Sequence, residues 1–211
     1  MTKTAKKHPL TLPFIIGVVL GIIAKLVDVP YITSELPVFD DIMGRFGIWV
    51  WAAALISVRS KTARLAAARS FLFFAGMLTA YYSYTVIFLN FFPKSQIILW
   101  GGIGMATPLC GFLFWQVHKE NYYTDFISSI PFILFFTEWY LTVFTAWNWN
   151  AKDKLLLLIA YICFSISLLA VIPTNRKRLF SLIYGVLLSI ALTGLILAEV
   201  IVNPYELLLN V

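Results

Sequence analysis

Long apolar runs alternate with short polar connectors along the whole chain. A helix needs about 20 apolar residues to cross a hydrocarbon core of about 30 Å. Seven runs approach or meet that length: residues 10–28, 41–58, 69–92, 95–117, 126–147, 155–172 and 179–200. The second is the weakest, because Arg45 falls in its first turn. No soluble domain interrupts the series. The pattern therefore predicts one all-α domain over residues 1–211, a polytopic transmembrane bundle of about seven helices. The longest connector, residues 29–40, holds Pro30, Glu35, Pro37 and Asp40 and reads as an outside loop. Terminal signals agree with these limits. Asp40 and Asp41 are suited to cap the second helix and Ser60 the third, while Pro93 ends the third and Pro173 follows the sixth.

Composition strengthens the membrane reading. Of 211 residues, 61% are hydrophobic and 12% charged, against about 45–50% and about 25% in soluble domains. One soluble core cannot hide such an excess, so lipid must cover part of it. The N-terminal Lys3, Lys6 and Lys7 before an apolar run resemble a signal peptide, but no small-x-small cleavage site follows, and the run reads as a retained first helix.

Charge placement then predicts direction. Lys3, Lys6 and Lys7, then Arg59, Lys61, Arg64 and Arg69, then Lys119, then Arg176, Lys177 and Arg178 all fall on one side if every run spans. The opposite side has only Arg45, Lys94, Lys152 and Lys154. Basic residues favour the cytoplasm, which predicts the N-terminus inside and the C-terminus outside. Trp100, Trp147 and Trp149 suit an outer aromatic belt, and Trp115 an inner one. The same clustering at helix ends argues against nucleic acid as a partner of this +6 chain, since that needs a basic stripe on one face.

Glu138, near the middle of the fifth run, is the most informative residue. A charge at that depth costs about 2.5–3.5 kcal/mol on insertion scales, so it should face the bundle interior with a partner. Counted at 1.5 Å per residue, Glu138 stands about 18 Å above the inner boundary, Lys25 about 22 Å, and Tyr81 and Tyr84 about 18 and 22 Å. Arg45 also falls in the outer half. Glu138, Lys25, Arg45, Tyr81 and Tyr84 thus form a candidate intramembrane polar site, with Lys25 the expected charged partner of Glu138 and a tyrosine hydroxyl the second choice. Lys25 and Arg45 have the alternative of snorkelling to the outer surface.

Gly101, Gly102, Gly104 and Pro108 in the fourth run predict a bent or broken helix, because Pro108 removes a backbone donor and clashes with the carbonyl of Gly104. Close packing is the alternative use of those glycines. Gly17-x-x-x-Gly21 in the first run is a small-residue packing face.

Other chemistry is poorly represented. Two cysteines, Cys110 and Cys163, and two distant histidines, His8 and His118, offer no metal or haem set, so no cofactor is expected. No Gly-x-Ser-x-Gly elbow, His-Glu-x-x-His motif or P-loop occurs, which disfavours an intramembrane enzyme.

The stretch from Phe73 through Gly76, Tyr81 and Tyr82 to Tyr84, with the overall length and the glycine-rich fourth run, resembles an uncharacterised family of small bacterial polytopic membrane proteins. That resemblance implies a bacterial plasma membrane. In size and hydropathy the chain is also similar to the substrate-binding membrane subunits of energy-coupling-factor vitamin transporters, though it lacks their alanine-rich first-helix motif and has seven runs where they have six helices. Two functions follow as expectations. One is a small-solute transporter or a membrane subunit of one, with a polar chamber around Glu138. The other is a non-catalytic accessory or immunity-type protein that binds another membrane protein, with Glu138 merely paired and a small-residue surface facing lipid.

Overall fold

The computed structural model describes residues 10–28, 42–145 and 150–199. These form seven α-helices: α1 (Thr11–Val27), α2 (Phe46–Val58), α3 (Ala63–Leu89), α4 (Lys94–Trp115), α5 (Tyr122–Thr145), α6 (Ala151–Val171) and α7 (Asn175–Leu197). A 3-10 turn, Gln116–His118, prolongs α4, and no strand occurs among the described residues. Helices α3 to α7 are long and apolar enough to cross a membrane, which makes this a multi-pass helical membrane protein. Helix α1 has 17 residues and α2 only 13. At 1.5 Å per residue α2 is about 20 Å long, short of a full hydrocarbon core. The N-terminal lysines, the 29–40 connector, Asp40, Asp41, Trp147 and Trp149 lie outside the described residues.

Helix starts follow capping chemistry rather than hydropathy. Thr62, Asn150 and Thr174 each accept a hydrogen bond from the backbone N–H three residues on, and so start α3, α6 and α7. Apolarity measures only the stretch inside hydrocarbon, whereas a helix continues until something satisfies its free N–H groups. Helices α3, α6 and α7 therefore begin before the apolar runs that announce them. Ser60 is not the cap of α3. Its hydroxyl donates to the Ile56 carbonyl (2.7 Å) at the end of α2. Helix α3 stops at Asn90, whose left-handed backbone (φ 48°, ψ 33°) is tolerated by Asn better than by most residues.

Glycines set the closest helix contacts. A Cβ at Gly17 would fall 2.0 Å from the Phe73 carbonyl oxygen, one at Gly21 2.4 Å from that of Met77, and one at Gly76 2.3 Å from that of Phe14. The Gly17-x-x-x-Gly21 face is thus the seam between α1 and α3, where the backbones touch. Helix α5 pairs with α7 through Gly185, set against Phe132, and through the Ser181 hydroxyl, which donates to Ser128 (2.7 Å). The short α2 packs against α3, α4, α5 and α6. It is apolar on every side and buries both Trp49 and the run Ala52, Ala53 and Ala54, as a helix enclosed by others should.

Three connections meet at one end of the bundle. The Trp115 indole donates to the Ser60 carbonyl (3.0 Å), and the Lys177 ammonium donates to the carbonyls of Val117 (2.6 Å) and Lys119. Arg178 donates to the Ile172 carbonyl (3.0 Å). Lys177 and Arg178 thereby cap the carbonyl ends of α4 and α6, where a positive charge suits the helix dipole.

The expected break in the fourth helix is not where the chain interrupts itself. Helix α4 runs through Gly101, Gly102, Gly104 and Pro108 without interruption. The Thr107 hydroxyl donates to the Gly104 carbonyl (2.6 Å), the acceptor that Pro108 cannot serve. The interruption falls in the second run instead. A helical turn at residues 42–44 ends at Arg45, which is extended (φ −88°, ψ 156°), and α2 starts afresh at Phe46.

Candidate functional site

That interruption is what positions Glu138. The residue stands on α5 facing α2 and α6, and is 1% exposed. Its carboxylate accepts hydrogen bonds from the Gly47 backbone N–H (3.2 Å) and from the Tyr161 hydroxyl. Gly47 is the second residue of α2, so the carboxylate sits at the positive end of that helix, among N–H groups with no partner inside it. Arg45 occupies the N-cap position without a side-chain cap bond. Glu138 supplies the cap from a neighbouring helix.

The fit depends on a missing side chain. A Cβ at position 47 would lie 2.6 Å from Glu138 Oε2 and 2.8 Å from Tyr161 Cε1. The Tyr161 ring is fixed in turn by stacking on the buried Phe135 (centroids 5.7 Å apart, planes 9° apart). Hydrogen bonds to a charged group contribute about 1.5–3 kcal/mol each. Such bonds, with a helix dipole worth up to ~2 kcal/mol, act against the insertion cost of about 2.5–3.5 kcal/mol. The group is tightly packed, and it lines neither of the two clefts described below.

The first of these clefts, of about 200 Å³, opens among α1, α3, α4 and the turn before α2, and Asp28, Gly44, Tyr81, Tyr82, Gln96 and Trp100 line it. Here the ion pair differs from expectation. Lys25 pairs with Asp28, one turn along its own helix, rather than with Glu138. The Tyr81 hydroxyl donates to the same Asp28 carboxylate (2.9 Å), and the Lys25 ammonium stands 4.7 Å from the centre of the Tyr81 ring. Burying Lys25 is feasible because Asp28 and the ring face replace its water. Tyr84 packs on Phe88 (4.7 Å between ring centroids) and joins neither group.

The expected polar layer is therefore divided in two. Lys25 and Tyr81 belong with Asp28 at the cleft, whereas Glu138 belongs with Gly47 and Tyr161. Gly47, Tyr161 and Asp28 were not singled out from sequence. A tyrosine in an apolar helix gives little sign of its partner. Gly47 had a usable signal, as a glycine two residues after the charge that weakens the second run.

A second, larger cleft of about 510 Å³ lies at the end where the basic connections meet, lined by Glu120 and Asn121 of the connector and by the starts of α5 and α7. Arg176 pairs there with Asp125 of α5 (3.0 Å), whose side chain is buried. No group of three or more metal-ligating side chains occurs among the described residues. No family model, no curated protein and no solved structure matches the chain.

Proposed function

We propose that the protein is a small-solute transporter of a bacterial plasma membrane, or the membrane subunit of one, and that its solute binds in the 200 Å³ cleft beside Asp28 rather than at Glu138. The proposal includes seven spans, with the N-terminus inside and the C-terminus outside, supported by the skew of basic residues toward the connections at one end. On that orientation the cleft faces outward. One observation carries the binding reading: the cleft joins a carboxylate, tyrosine hydroxyls, an amide and an indole around space that apolar side chains could have filled. Its volume of about 200 Å³ lies below the roughly 300–1,000 Å³ of ordinary ligand pockets, which favours a small solute.

Access and binding can be tested separately. In a Cys110→Ser, Cys163→Ser background, Gln96→Cys should react with a membrane-impermeant thiol reagent added outside intact cells. Absence of labelling would remove the outward cleft. A thermal-shift screen of small metabolites should then give a hit that Tyr81→Phe or Asp28→Asn weakens. Hits indifferent to both substitutions would sink the site.

A separate observation favours the accessory-protein reading. Gly102, Ala106 and Cys110, spaced four apart on α4, are exposed along one face, and a Cβ at Gly102 meets nothing within 4 Å. Small residues at that spacing permit close helix association in lipid. Crosslinking of the native Cys110 to a membrane protein of the producing cell would support this reading, and labelling confined to lipid-soluble reagents would oppose it.

A further inference from the structure

We infer that the 510 Å³ cleft at the basic end binds the headgroup of a zwitterionic phospholipid carrying a primary ammonium, of the phosphatidylethanolamine type. The depth is right for a headgroup. The apolar runs of α5 and α7 start at Phe126 and Leu179, and Tyr122 and Arg176 precede them by about 5 Å at 1.5 Å per residue. Tyr122 and Tyr123 are 84% and 82% exposed there, a placement that suits aromatic rings at a bilayer interface.

The charges select the headgroup. Arg176 is held from three sides, by Asp125 at 3.0 Å and by the rings of Tyr122 and Phe180 at 5.4 and 5.5 Å. Its side chain nevertheless remains 60% exposed, so guanidinium donors are left for a phosphate oxygen. Lys177 is not such a donor, because it is buried against the Val117 and Lys119 carbonyls. Glu120 is exposed and lines the same cleft, and can accept from an ammonium. The lining carries Arg176 and Lys177 against Glu120 and Asp125, two charges of each sign. The lining is therefore formally neutral, and a purely anionic headgroup would engage Arg176 while placing like charge beside the exposed Glu120. A headgroup bearing both phosphate and ammonium finds a partner for each end, Arg176 for the phosphate and Glu120 for the ammonium.

The test uses the purified full-length chain in nanodiscs of phosphatidylcholine mixed with either phosphatidylethanolamine or phosphatidylglycerol. Lipid retained by the protein is measured by native mass spectrometry. Phosphatidylethanolamine should be retained over phosphatidylcholine by about tenfold, the ratio one net polar contact supports. Arg176→Gln and Glu120→Gln should each bring that ratio close to one. Glu120 is exposed, so its substitution keeps the test valid even if Arg176→Gln unsettles Asp125. Equal retention of phosphatidylcholine, or preference for phosphatidylglycerol, would overturn the ammonium assignment. Soluble glycerophosphoethanolamine displacing the lipid at equal concentration would make this a solute site and overturn the lipid assignment.

Discussion

Replacing Gly47 by alanine isolates the tight packing at Glu138 with one methyl group. In an exposed helix interior, Gly→Ala stabilises by about 0.5–1 kcal/mol, because alanine loses less backbone freedom on folding. At position 47 the sign should reverse. The new Cβ would stand 2.6 Å from Glu138 Oε2 and 2.8 Å from a ring carbon of Tyr161, well inside van der Waals contact. Neither neighbour yields easily, since the carboxylate is tied to Gly47 N and the ring is stacked on Phe135. Overpacking costs about 1–3 kcal/mol, and weakening a hydrogen bond to a buried charged group adds about 1.5–3 kcal/mol. The net loss should be about 2–5 kcal/mol, at roughly 2–4 °C of melting temperature per kcal/mol for a chain of this size. Gly102→Ala is the matched control, because a Cβ there meets nothing within 4 Å. Fluorescence-detected size-exclusion after a heating series in detergent measures both. If Gly47→Ala melts at or above the control, the carboxylate is not wedged against α2 and the capping argument fails. Tyr161→Phe should also destabilise, and a double-mutant cycle with Glu138→Gln should show strong coupling.

Three further outcomes follow from other parts of the bundle. Thr107→Val should cost about 1–2 kcal/mol by leaving the Gly104 carbonyl without its hydroxyl partner beside Pro108, and an unchanged melting temperature would mean the carbonyl is satisfied elsewhere. Gly17→Leu should prevent α1 from seating on α3, since even a Cβ would fall 2.0 Å from the Phe73 carbonyl oxygen; recovery of a monodisperse variant with native stability would contradict that seam. A reporter active only outside the cytoplasm should work when fused after Val211 and fail after Lys61, and the reverse pattern would sink the proposed orientation.

Much of the architecture is a one-dimensional matter and is readable as such. Lipid demands that each crossing segment be apolar and satisfy its own backbone, so helix placement follows from local composition. The cost of a lipid-facing carboxylate likewise requires an interior position for Glu138, and its 1% exposure meets that requirement. What sequence could not settle is which groups meet, because partners are chosen by helix rotation and by backbone approach. Lys25 has Asp28 one turn away, and a local ion pair needs no long-range closure; Glu138, on another helix, found donors on α2 and α6 instead. Pro108 and its glycines carried the strongest local signal for a break, yet one adjacent threonine hydroxyl serves the freed carbonyl and α4 continues. Helix α2 shows the divide most clearly. By length and by Arg45 it is the weakest span, yet the fold encloses it among four helices. Hydropathy measures how well a segment tolerates lipid, whereas enclosure depends on neighbours that only the assembled bundle supplies, and a short helix whose first N–H groups meet a carboxylate from α5 need not satisfy the bilayer alone.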